Sequence, residues 1–108
     1  MASSPSFVQY IVDQCGGAGD ITVRKMFGDY CIYCYGKVFG LISDDRLFVK
    51  PTEEGRKMLH SEILMPPYDG AKPYFLIEEI DDHNYLTQLV KVTVDALPDP
   101  KPKKASRR

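Results

Sequence analysis

The chain of 108 residues has no tryptophan, two histidines and three cysteines. Few histidines leave little for metal ligation, and no H-x-x-x-H or H-E-x-x-H spacing occurs. An odd, small number of cysteines argues against a secreted disulfide framework. No apolar run approaches the roughly 20 residues of a membrane-spanning helix. Met1-Ala2-Ser3-Ser4-Pro5 lacks the basic and apolar regions of a signal peptide, so a cytoplasmic, non-membrane protein is expected. Phosphate-cradling, dinucleotide-binding and nucleophile-elbow motifs are all absent. Nothing in the sequence calls for a cofactor.

What is present suits one soluble domain. Seven tyrosines and five phenylalanines can fill a core. The net charge of −1 hides an asymmetry. From Pro98 onward there are five basic residues and one acid, so the rest of the chain is acidic. We therefore divide the chain into a domain over 1–97 and a Pro/Lys-rich flexible tail over 98–108.

Ser4-Pro5 reads as a helix start, followed by apolar residues at helical spacing from Phe7 to Cys15. Gly16-Gly17 is expected to end the helix in a left-handed conformation. Strands are expected over 21–26, 30–35, 38–42 and 47–50, with a Gly36-Lys37 hairpin turn and a polar turn at Ser43-Asp44-Asp45-Arg46. Thr52 caps a short helix, 62–72 reads as a loop, and 73–78 is a further strand. Asp81 or Asp82 caps the last helix, whose buried stripe is Leu86, Leu89, Val90, Thr93 and Leu97. The order is helix, three to four strands, helix, strand, helix. It predicts an α+β two-layer fold, with helices packed on an antiparallel sheet of about five strands.

Cys31 and Cys34 form a C-x-x-C pair, but on a strand rather than at a helix N-terminus. Residues three apart on a strand face opposite sides, so packing is the favoured reading over redox chemistry. His60 and His83 read as surface residues. Asp44-Asp45 and Asp81-Asp82 are explained by turns and caps. Arg24 and Lys50 lie at strand ends beside Met26-Phe27 and Phe48, where a cation serves either a structural cross-link or a recognition surface. Lys101, Lys103, Lys104, Arg107 and Arg108 are candidate nucleic-acid contacts, with a solubilising tail as the favoured alternative.

Arg24-Lys25-Met26-Phe27-Gly28, Tyr33, Gly36, Phe39, Leu41, Asp44-Asp45 and Leu47-Phe48-Val49-Lys50 together resemble the N-terminal domain of the TfoX/Sxy family. That family shows an R-x-M-F-G run, an aromatic strand, a glycine hairpin and a D-x-L-[FY]-[LV]-K strand. Pro67-Tyr68 and Ala71-Lys72-Pro73-Tyr74-Phe75 are similar to a small single-domain branch. Asp29 and Cys31 stand where the family commonly has glycine. The resemblance implies a secretion-chaperone-like two-layer fold and a bacterial cytoplasmic regulator rather than an enzyme. Its full-length members act in natural competence and carry a second, helical domain, which this chain is expected to lack. It supplies no catalytic residues. Arg24, Met26, Phe27, Gly28, Lys50 and Lys72 become the candidate interaction surface.

The leading expectation is a non-catalytic regulatory or protein-interaction module with an unidentified protein partner. A nucleic-acid-associated factor using the tail comes second, and a small thiol-dependent enzyme third. Homodimerisation through an exposed strand is left open.

Overall fold

The first helix starts where a hydroxyl and a proline meet. In the computed structural model, which describes residues 4–26 and 29–97, Ser4 Oγ accepts the Phe7 backbone N–H at 3.3 Å and Pro5 opens α1 (Pro5–Cys15). That oxygen satisfies one of the otherwise unpartnered amides of the first turn. Val8, Ile11 and Cys15 form the buried stripe. The expected left-handed end at Gly16 is not used. Gly16 keeps helical angles, the chain tightens into a 3-10 turn over Gly16–Ala18, and the reversal falls at Gly19 with φ +147. A side chain there would also collide with the Tyr35 ring, 2.4 Å from the Cβ position.

Four strands follow as a meander: β1 (Ile21–Met26), β2 (Asp29–Cys34), β3 (Lys37–Ser43) and β4 (Arg46–Val49). The β2–β3 turn is Tyr35-Gly36, one residue earlier than expected, with φ of 50 and 82 and Cys34 opposite Lys37. Two positive φ values match the strand twist, which is why hairpins of this length favour them. Asp44 and Asp45 adopt the same hand at the next turn, each at φ 53. Short polar side chains tolerate that region better than most. Asp45 also accepts the Ser4 backbone N–H at 2.8 Å, tying this turn to the start of α1.

After α2 (Glu53–Met58), capped by Thr52 as expected, the chain makes a strand where a loop was expected. β5 (Leu64–Met65) pairs with β6 (Tyr74–Ile77), giving six antiparallel strands in the order β1-β2-β3-β4-β6-β5. Two residues carry no period, so only the partner strand reveals β5. The last helix, α3 (His83–Ala96), is capped by Asp82, whose Oδ1 accepts the Tyr85 N–H at 3.0 Å. Asp81 instead accepts the Tyr10 hydroxyl. The β-branched Val92, Thr93 and Val94 stay helical. Burial of Leu86, Leu89, Val90 and Thr93 outweighs their weaker propensity.

One face of the sheet meets the helices. Ile32, Cys34, Phe39, Ile42, Leu47, Val49, Phe75 and Ile77 share a single core with Val8, Ile11, Cys15, Leu86, Leu89 and Val90. Each fully buried large side chain there contributes about 1.5–3 kcal/mol of transfer free energy. The result is the expected two-layer α+β architecture. Its second edge of interest is the end of α3, where Lys37 Nζ donates to the carbonyls of Val94 at 2.9 Å and Leu97 at 3.0 Å. A cation from the hairpin thus satisfies the negative end of the helix.

Candidate functional site

Strand alternation places a second set of side chains on the side away from the helices. In register, Arg24 lies opposite Cys31, Cys31 opposite Leu41, Leu41 opposite Phe48, and Phe48 opposite Leu76. Cys31 and Phe48 are buried although neither belongs to the helix-side core. Something other than a helix must cover them.

The cover is the loop that follows β5. Ser43 Oγ donates to the Pro67 carbonyl at 2.9 Å, a buried bond that pins the loop across the sheet. Pro67 is itself buried, while Tyr68 stands at the crest, 56% exposed. The loop covers only part of the face. Between Tyr68 and β1 lies an open groove of about 590 Å³. Its floor includes Cys31, Val38 and Leu41; Met26 from β1 and Tyr68 from the covering loop also line it, with Lys50 and Tyr74.

Lys50 reaches this place through a β-bulge. The β2–β3 register shifts between Ile32 and Tyr33, so Phe39 is an extra residue on β3. Its side chain is fully buried in the core, and its carbonyl accepts the Lys50 backbone N–H at 2.8 Å. Gly40, next along, must lack a side chain, because a Cβ would fall 2.2 Å from the Phe48 carbonyl oxygen. Bulge and glycine together bring β3 and β4 close and set Lys50 beside the groove.

The thiol on the floor is a poor nucleophile. Burial pushes the Cys31 pKa up, and the nearby Lys50 cation, the Tyr33 hydroxyl and the Arg24 cation only partly oppose this. Cys34 lies on the other face, in the core, and burial raises its pKa too. Cys15 is pushed up to about 12 by burial, with Cys34 nearby. All three cysteines are free and buried. These are packing thiols, as the strand alternation implies.

The expected surface residues separate into groups. Arg24, Met26 and Lys50 come together around the groove; Met26 is 44% exposed. Lys72 is exposed in the covering loop but does not line the groove. Phe27, Gly28 and the tail cations Lys101, Lys103, Lys104, Arg107 and Arg108 lie outside the described residues. His60 stacks on the Tyr85 ring at 4.5 Å, and its Nδ1 lies 2.5 Å from Glu79, an exposed surface pair. Among the described residues no group of three or more His, Cys, Asp or Glu could hold a metal, and no helix is long and apolar enough to cross a membrane.

Sequence reasoning missed Cys31, Val38, Leu41, Tyr68 and Tyr74 as a set. The signal available was alternation itself. Cys31, Leu41 and Phe48 are apolar on the side facing away from Ile32, Ile42 and Leu47, so both faces of the central strands are apolar. A two-layer domain explains only one such face.

An antiparallel sheet with helices on one side and a partly covered apolar groove on the other defines a small two-layer α+β domain. Residues 13–97 match the family model of the TfoX N-terminal domain, and the chain belongs to that family. An uncharacterized 12.7 kDa protein in the trpE 5′ region of Spirochaeta aurantia is 37% identical over 109 residues, covering 100% of this chain and 95% of that protein. Family membership makes the domain non-enzymatic, in line with the resemblance read from Arg24 to Lys50.

Proposed function

We infer that the protein is a regulatory module that acts by binding another protein on the helix-free side of its sheet. The observation that carries this reading is the pair Met26 and Tyr68, two large apolar side chains left exposed in the lining of one groove. Exposed apolar side chains clustered on a single face mark interaction surfaces, whereas scattered ones do not. Tyrosine and methionine are also enriched in interface cores. Arg24 beside them adds a charged rim, which favours orientation and encounter rate.

The test is affinity capture from host lysate with the intact chain and with the double variant Met26→Asp/Tyr68→Asp, each with and without nuclease. A specific protein held by the intact chain after nuclease, and lost by the variant, supports the reading. Nuclease-resistant capture that is unaffected by the variant moves the binding surface elsewhere on the domain, and capture that disappears with nuclease and with deletion of residues 98–108 moves the function to nucleic-acid association through the tail.

A further inference from the structure

The interior of the groove has its own chemistry, distinct from its rim. A volume of about 590 Å³ is in the range of small-molecule pockets, which span roughly 300–1,000 Å³ and are mostly apolar with a few placed polar groups. The floor of Val38, Cys31 and Leu41 is apolar. Two cations act at this floor: both Lys50 and Arg24 lie close enough to Cys31 to bias its thiol electrostatically. Neither has an ion pair or a side-chain hydrogen bond among the described residues. Lys50 is half-buried and lines the groove, with no ion pair to an acid among the described residues. The groove's one acid, Asp29, is opposite Met26, two register positions along from the Arg24–Cys31 pair. Ser43 has already spent its hydroxyl on Pro67.

We propose that this groove is a binding site for a small amphipathic carboxylate, aliphatic or aromatic. The carboxylate meets Lys50, with Arg24 adding longer-range attraction from outside the lining, and the apolar body lies over Cys31, Val38 and Leu41 beneath Tyr68. A cation at the edge of a low-dielectric pocket attracts an anion far more strongly than the same cation in water. Tyr74 also lines the groove, and its hydroxyl is a neutral donor available to such a ligand. The tail of such a ligand gains from burial, at about 0.8 kcal/mol per methylene. This site shares Arg24 and Tyr68 with the protein-partner reading but does not rest on it, because it uses the interior of the groove and needs no second macromolecule.

The experiment is titration of the purified full chain with decanoate and with naphthoate, followed by calorimetry and backbone amide NMR. Decyltrimethylammonium is the control of opposite charge. Saturable binding of at least one carboxylate is expected, with shifts centred on Cys31, Leu41 and Lys50. Lys50→Glu should weaken it roughly tenfold or more, a change of about 1.4 kcal/mol, and Val38→Phe should weaken it by filling the floor. The comparison of anion with cation in the wild-type chain needs no variant to fold. Saturable binding of neither carboxylate, equal binding of the ammonium control, or unchanged affinity in Lys50→Glu would each overturn the proposal.

Discussion

Cys31 and Cys34, three residues apart on β2, open to opposite faces of the sheet: Cys34 packs under the helices, and Cys31 floors the groove. A thiol pair spaced as in redox proteins is therefore held apart by the strand itself. Alkylation of the folded protein should be slow at all three cysteines and should reach Cys31 first, since it borders the open groove. Peptide mapping after timed labelling reads this. Rapid formation of a Cys31–Cys34 disulfide on mild oxidation would contradict it.

Cys15 gives a pH dependence with a definite sign. Its pKa is raised from an ordinary 9.0 to about 12 in the folded state. Between those values the unfolded chain loses the proton and the native protein keeps it, so stability falls as pH rises. The contribution is fully present below pH 9, and its decline is at most about 1.4 kcal/mol per pH unit. Urea denaturation from pH 9 upward should show a shallower decline for Cys15→Ala than for the wild type, whatever the variant's absolute stability.

At Gly40 the backbone of β4 leaves no room for a side chain on β3. Gly40→Ala places a methyl group against the Phe48 carbonyl, and because the neighbouring atoms of Phe48 and Val49 are backbone, no flexible side chain is there to yield. The expected loss is about 1–3 kcal/mol, typical of overpacking. Because Lys50 follows directly on β4, amide NMR of Gly40→Ala should also show displacement at Lys50.

Lys37→Met removes the cation from the end of α3 while keeping most of the side chain's length. Two carbonyls lose a charged donor. The expected cost is about 1–2 kcal/mol, with faster amide exchange confined to the last turn of α3.

Local chemistry was legible in the sequence wherever one residue decides the outcome. Ser4, Thr52 and Asp82 cap the helices, as their side chains dictate. Alternation separated the two cysteines correctly. The hairpin turn was misplaced by one residue because Tyr35 accepts a positive φ that only the pairing of Cys34 with Lys37 requires. β5 was missed because Leu64 and Met65 become a strand only against Tyr74 and Phe75. The groove was illegible for a similar reason. Its wall is tied down where Ser43 holds Pro67 across 24 residues of sequence, a contact that no local pattern encodes. Arg24, Met26 and Lys50 were visible as candidates, but what gathers them is the register of β1 on β2 and the bulge at Phe39.

The central claim is that the helix-free face is the working surface. A photoreactive cross-linking residue placed at Tyr68, on the groove's crest, can be compared in host cells with one at Tyr10, exposed on α1. The account predicts a discrete protein adduct from position 68 and none from position 10. Adducts formed only from position 10 would contradict it, and would move the functional surface to the helical layer.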